Sequence, residues 1–183
     1  MRWPWVATSA VVIVAAVVLR TQGRAWWCAC GDWSLWWGDV WSSHGCQHLL
    51  DPYSFTHVLH GVVLFGLLAW VGARLPLAWR LFVAVLLEAG WEVFENSRYV
   101  LSHHRAGTAA LGYVGDSIGN SLADIAACAL GFVLARRLGL RGSLLLLMVT
   151  EIVLLVWIRD SLLLIVVMTL FPNDAIKAWQ LGH

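Results

Sequence analysis

Two histidines and five carboxylates stand within apolar stretches of this chain, at spacings that put each set on one side of a helix. His57 and His60 are three residues apart. Glu88, Glu92 and Glu95 follow an i, i+4, i+7 pattern, with Asn96 next in line. Asp116, Asn120 and Asp124 follow i, i+4, i+8. Imidazole and carboxylate together form a donor set for zinc, iron or manganese. Carboxylates held at different depths in a low dielectric can also split their proton affinities and work as acid and base. Two chemistries are therefore open, cation binding and proton handling. In the first, His57, His60, Glu92 and Asp124 are the metal ligands and a divalent metal ion is the cofactor, its identity not fixed by the donors. Glu88, Glu92, Asp116, Asn120 and Arg159 are the candidate catalytic groups. His48, Asp51, Glu95, Asn96 and Asp160 support them.

These groups need rods to position them, and the composition supplies rods of one kind. Of 183 residues, 60% are apolar and only 13% charged, with a net charge of +1. Mean hydropathy is +0.74. A soluble domain carries about 25% charged residues. The balance excludes a secreted enzyme, a disordered regulator and a nucleic-acid binder. Hydrophobic stretches at 3–19, 55–73, 77–97, 114–135 and 143–171 predict an all-α, polytopic membrane bundle of about five transmembrane helices. It forms a single domain over 1–183. The last stretch would measure about 43 Å as one straight helix. It either tilts and projects, or bends near Arg159 and Asp160. Pro172 ends it, and 174–180 reads as a short interfacial helix.

The first stretch follows Arg2 and lacks a close small-x-small site, so it reads as an uncleaved anchor. Arg136, Arg137 and Arg141 tip the loop charge balance toward a cytoplasmic N-terminus. The protein is then a multi-pass protein of the bacterial inner membrane, with the bilayer as its first partner. A membrane-protein partner or a homo-oligomer is compatible with so small a chain. No nucleic acid is expected. On this orientation the start of the second span, the end of the third and the start of the fourth meet on the extracytoplasmic side. At about 1.5 Å per residue, His57, Glu95 and Asp116 form a shallow rung. His60, Glu92 and Asn120 form a middle rung, and Glu88 and Asp124 a deep one. Arg98, His103, His104 and Arg105 would form the loop beside them.

Five close carboxylates exceed what hydrogen-bonded knitting of a bundle requires, at about 0.6 kcal/mol per bond. An ionisable group inside a bilayer costs about 2.5 kcal/mol or more unless partnered. A polar cavity is the better reading. Ser117 and Ser121 have no nucleophile-elbow context and read as packing residues.

Segment 20–54 is the extracytoplasmic lid. It carries Trp26, Trp27, Trp33, Trp36, Trp37 and Trp41, of which 33, 36, 37 and 41 fit one helical face. Indole favours the headgroup layer, so the segment should lie on the membrane as an amphipathic cover or as a simple anchor. Cys28, Cys30 and Cys46 share it. In an oxidising compartment Cys28 or Cys30 pairs with Cys46. The alternative is a soft-metal set built from Cys-x-Cys and the His-x-Cys-x-His around Cys46, with His44 and His48. Cys128 reads as inert packing.

The stretches CGDWSLWWGDVWSS, QHLLDPYSFTHVLHG, EAGWEVFENS, LGYVGDSIGNSLADIAACALGF, IRDSLLL and AIKAWQ resemble a proteobacterial inner-membrane family known as a domain of unknown function. The resemblance covers nearly all of the chain after Arg24. It implies a multi-span bacterial membrane protein and carries no activity. Matching positions include Cys30, Gly31, His48, Asp51, His57, His60, Glu88, Glu92, Glu95, Asn96, Asp116, Asn120, Asp124, Arg159 and Asp160. Cys46 and Pro52 depart from the pattern, so the resemblance does not carry a disulfide at Cys46. A looser similarity is to the VanZ-like membrane proteins, through His60, Glu88 or Glu92, and Asp116 with Asn120. The functional expectation is action on a lipid or envelope precursor. The alternative is a non-catalytic accessory subunit, or a proton- or ion-handling component of a larger membrane complex. Spacing alone does not decide whether the chain is an enzyme.

Overall fold

The computed structural model of the chain describes the backbone of residues 2–107 and 113–182, and the side chains of 2–102 and 113–182. Among the described residues every regular element is a helix, with no strand. The elements are α1 (Trp3–Thr21), α2 (Ser54–Val71), α3 (Leu77–Glu95), α4 (Arg98–Gly107), α5 (Ile118–Ile158), α6 (Leu162–Leu170) and α7 (Asp174–Leu181). Three of them, α1, α2 and α5, are long and apolar enough to cross a membrane. α3 matches them in length but carries Arg80, Glu88, Glu92 and Glu95, so its composition is not that of a plain span.

α5 is not one rod. Gly139 leaves the helical region (φ 66°, ψ −176°), a conformation open to glycine because it has no Cβ. Ser143 Oγ reaches back to the Ala135 carbonyl at 3.4 Å. Asn120 Nδ2 donates to Asp51 at 3.4 Å, while the Tyr53 hydroxyl donates to Asp160 at 3.0 Å. A straight helix would hold residues 120 and 160 about 60 Å apart. α5 is therefore a hairpin of two antiparallel arms, 118–138 and 140–158, with both open ends at the turn made by Asp51 and Tyr53. The expected break near Arg159 is present too. Arg159 is left-handed (φ 51°), and Ser161 caps α6 by accepting from Leu164 N. α7 is the short terminal helix expected at 174–180, and Asn173 caps it through the amides of Ala175 and Ile176.

The core is assembled from small contacts. Ala15 of α1, Val85 and Ala89 of α3, and Ile125 of α5 form one buried cluster. Leu68, Ala84 and Phe132 form another. α2 makes its most extensive contact with α5. There a Cβ on Gly61 would collide with the backbone at Cys128 and Phe132, and a Cβ on Gly131 with the backbone of Val58. The two helices touch main chain to main chain, as small residues permit in membrane bundles. Cys128 sits fully buried in this seam, which fits a packing role. Outside, Ile13, Val14, Val17, Ile152 and Val156 are exposed, while Glu88, Glu92, Asn96 and Asn120 are buried to 2% exposure or less. Apolar outside and polar inside is the distribution that lipid, not water, favours.

Two expectations fail here. The tryptophan segment is not a helix: it runs as turns pinned by an isolated bridge between Trp36 and Leu50. Asp32 and Asp39 fold back on the amides of Ser34 and Trp41, the local competition that disfavours helix. It does cover the bundle, since Trp36 stacks on Trp157 (6.1 Å) and edges Phe55. Residues 98–107 are also not a loop but α4, although the side chains of His103, His104 and Arg105 lie outside the described residues.

Gly61→Ala and Gly131→Ala should each lower the thermal midpoint of the detergent-solubilised protein, with a cost of about 1–3 kcal/mol or more from forcing the backbones apart. Gly90→Ala, where a Cβ meets nothing within 4 Å, should leave it within error. Equal midpoints for all three would refute the close seam. Burial pushes the Asp160 carboxyl up from 3.8 to about 6, against its bonds from Ser161 N and Tyr53. The folded state thus keeps a proton that the unfolded chain releases. That contribution, at most about 3 kcal/mol, is complete below pH 3.8 and lost as pH rises through 6. Asp160→Asn should flatten this part of the stability profile between pH 4 and 7. Parallel profiles for the two proteins would show that Asp160 does not titrate as stated.

Candidate functional site

The polar faces of α2, α3 and the first arm of α5 do meet. His57 Nδ1 donates to Glu88 Oε1 at 2.5 Å, and His60 Nδ1 lies 3.0 and 3.1 Å from the two Glu88 oxygens. Glu92 Oε1 is 3.4 Å from His57 Nδ1, and Asp124 Oδ2 is 3.8 Å from His57 Nε2. Two three-residue donor groups result, His57–His60–Glu88 and His57–Glu92–Asp124. In each, one donor atom from every residue lies within 4.8 Å of the others. His57 belongs to both. Glu92 Oε1, Asp124 Oδ1 and Asn120 Oδ1 are buried and accept no hydrogen bond. Orphaned buried oxygens beside imidazoles are what a cation would satisfy.

The rungs are displaced from the depths expected. His60 reaches Glu88 rather than Glu92, and His57 reaches Glu88, Glu92 and Asp124 rather than Glu95 and Asp116. α2 stands about one helical turn (about 5.4 Å) deeper than depth matching predicts. The cause is the chain before it. Asp51 is tucked into the bundle mouth at 1% exposure. It accepts from Cys46 N, Tyr53 N and Asn120 Nδ2, so α2 starts below the rim. Glu88 consequently joins the donor set instead of backing it.

The shallower acids form a second polar layer. The Asn96 side chain clamps Asp116, donating to Oδ2 (2.6 Å) and accepting from the Asp116 amide (2.7 Å). Tyr113 donates to the other oxygen at 2.7 Å. Burial raises the Asp116 carboxyl above the ordinary carboxylate range, against the pull of Tyr113 and Asn96. Burial raises Asp51 likewise, opposed by the Tyr53 amide. Glu95, Asp116, Asn120 and Asp160 line the same cavity as His57, His60, Glu88 and Asp124. Its volume is about 880 Å³, and its other walls are largely apolar: Val63 and Leu64 of α2, Leu87 and Trp91 of α3, Ile165, Val166 and Leu170 of α6. Val40, Trp41 and Cys46 of the lid close the top.

Three assigned residues stand elsewhere. Arg159, placed by the sequence among the catalytic groups, does not line the cavity. It donates to the Trp179 carbonyl at 2.9 Å and lies over the Trp179 ring, locking α7 to the end of α5. Among the described residues every ion pair is histidine to carboxylate. His48 is turned into the lid, bonded to the Ser34 carbonyl. Cys46 pairs with neither Cys28 nor Cys30. Those two are joined to each other, and Cys46 is free. Its left-handed backbone (φ 57°) and its amide bond to Asp51 hold it at the cavity instead. Burial, then Asp51, pushes its thiol well above the usual range, which disfavours the thiolate. Tyr53 and Tyr113 went unseen in the sequence. Both sit in irregular chain beside the helices, where no periodicity marks a residue as inward-facing. Ser117, adjacent to the rungs, caps α5 through Asn120 N.

The chain was compared with known proteins on this footing. Residues 19–182 match the family model described as "Protein of unknown function (DUF2585)". A UPF0314 protein of Paracoccus denitrificans is 43% identical over 97% of this chain and 92% of its own length. UPF0314 proteins of Sinorhizobium fredii and Rhizobium meliloti are each 41% identical, over 98% and 94% of this chain and 92% and 87% of theirs. No solved structure matches. The chain, with its histidine–carboxylate cavity, belongs to the DUF2585 family of UPF0314 proteins.

Proposed function

We propose that the chain crosses the bacterial inner membrane five times, by α1, α2, α3 and the two arms of α5, and that its cavity is a cation-assisted site for an amphiphile. The polar head of a lipid or envelope precursor would sit at His57, His60, Glu88, Glu92 and Asp124, and its chain among the apolar walls. The observation that carries this reading is the pair of buried donor groups sharing His57 at a cavity with extensive apolar walls. A site of that shape suits a ligand with one charged end. Support for an extracytoplasmic mouth comes from Arg136, Arg137 and Arg141, which flank the Gly139 turn at the opposite end of the hairpin.

The chemistry follows from the donors. A divalent cation there would polarise a phosphoryl or acyl oxygen and lower the pKa of a bound water. His57 and His60 orient Glu88. Glu92 and Asp124 present free oxygens, and Asn120 holds Asp51 at the rim. Asp116, clamped by Asn96 and Tyr113, is placed to donate or take a proton at the head group. Hydrolysis or group transfer on that head is the reaction class. A second reading, proton or ion handling within a larger complex, is favoured by the further buried acids, Asp51 held by Asn120, Asp116 on the cavity wall and Asp160 at the Tyr53 hydroxyl.

Metal analysis of the oxidised, detergent-purified protein tests the cation. About one divalent ion per chain is expected in the wild type. Glu92→Gln and His57→Gln should bind it more weakly by at least the ~10–100-fold that disturbing a ligand's surroundings costs. A folded wild type that neither retains nor takes up a divalent ion ends the cation reading and leaves proton handling. Co-purification of an obligate partner in stoichiometric amount would favour the accessory-subunit form.

A further inference from the structure

The cavity makes no use of Cys28, Cys30, His44 or His48. The lid nevertheless gathers them. One donor atom from each lies within 4.8 Å of the others. His44 Nδ1 is 3.4 Å from Cys28 Sγ. Both sulfurs are met by backbone amides: Cys30 N donates to Cys28 Sγ at 3.3 Å, and Asp32 N to Cys30 Sγ at 3.4 Å. Such N–H groups favour the thiolate over the thiol.

His48 is the more telling residue. It is 1% exposed. Its Nδ1 lies 2.8 Å from the Ser34 carbonyl. A carbonyl can only accept, so Nδ1 carries the proton and Nε2 carries the lone pair. That Nε2 is buried and has no hydrogen-bond partner. Metal-binding histidines characteristically fix their tautomer in this way, with the far nitrogen bonded to a carbonyl and the near one left for the ion. Trp37 packs on both imidazoles, at 4.7 Å from His44 and 5.0 Å from His48, and Trp27 edges His48 at 6.4 Å. The rings flank His44 and His48 and limit how far those two ligands can swing. Asp32 is occupied by Ser34, and Cys46, although it lies between the two histidines in sequence, faces the cavity.

We propose that Cys28, Cys30, His44 and His48 form a second site, which holds a soft tetrahedral d¹⁰ cation, Zn²⁺ or Cu⁺, in the lid. Two thiolates and two imidazoles are the donors such ions select. In the structure Cys28 and Cys30 are joined, so the site is coupled to redox state. A dithiol reductant delivers two electrons and two protons to the disulfide, breaking the S–S bond and yielding two thiols. The cation then displaces both thiol protons and binds the two thiolates. A disulfide oxidant accepts two electrons from the two thiolates and, with two protons from water, becomes two thiols, while the Cys28–Cys30 S–S bond re-forms and the ion is released. The lid is closed either by sulfur or by metal.

Cobalt is the probe, because thiolate-to-cobalt charge transfer reports sulfur ligation, and the Cys46 thiol at the cavity is controlled by its own variant. The full-length protein in detergent is reduced with a phosphine, and thiol titration confirms that the disulfide is open. Co²⁺ added beyond two equivalents, enough to fill both cavity and lid, should then give near-ultraviolet thiolate charge transfer. The oxidised wild type, with the same helical circular dichroism, should not. Zn²⁺ should bleach that signal. A Cu⁺ chelator competition decides which ion binds more tightly. Cys28→Ser/Cys30→Ser should abolish the signal, and His48→Ala should weaken cobalt binding at least ~10-fold. Cys46→Ser and Cys128→Ser should keep it. A reduced wild type without charge transfer overturns the proposal. So does a signal that survives Cys28→Ser/Cys30→Ser or disappears in Cys46→Ser. None of these results depends on whether the cavity binds an ion.

Discussion

Glu88 lies at 2% exposure with an imidazole nitrogen against each side of its carboxylate. A carboxylate withdrawn from water without a partner costs several kcal/mol, and breaking a buried pair is worse than never having made it. The contact among Glu88, His57 and His60 therefore constrains α2 and α3 to one register and one rotation. It cannot form unless α2 lies close against the rest of the bundle. Gly61 and Gly131 allow that approach by removing the side chains that would stand between α2 and α5. Asp124 is carried on the same face of α5 and comes to His57 from the other side.

Above this layer the structure spends its irregular chain on closing the mouth. Asp51 turns the lid into α2 and draws in Asn120 and the Cys46 amide. Tyr53 ties that turn to Asp160 beyond the second arm of α5. Arg159 and Gln180 tie the end of α5 to α7. The cavity takes its polar groups from α2, α3 and the start of α5, and its apolar walls from α6 and from other positions of α2 and α3.

The lid carries a chemistry of its own. Its histidines stack on tryptophan and its cysteines take backbone N–H groups, in a segment with hardly any regular structure. A stretch so rich in turns is held by a few cross-links rather than by a core. Whatever joins Cys28 and Cys30, sulfur or metal, bears on how firmly the cavity is covered.

The helices and the identity of the inward polar residues could be read from the chain itself. Apolar length sets a span, and the i, i+4 spacing of Glu88, Glu92, Asp116, Asn120 and Asp124 marks a face, because both depend on local geometry. The terminal helix was legible for the same reason, whereas a break near Arg159 was one of two courses the apolar run left open. Partnership was not. Only the folded molecule placed α2 one turn deeper, moved Glu88 into the donor set, sent Arg159 to Trp179, and divided His48 and Cys46 between lid and cavity. Those outcomes turn on where Asp51 buries its carboxylate and on where the Gly61–Gly131 seam lets two backbones meet. Both are contacts between residues remote in sequence, and periodicity carries no information about them.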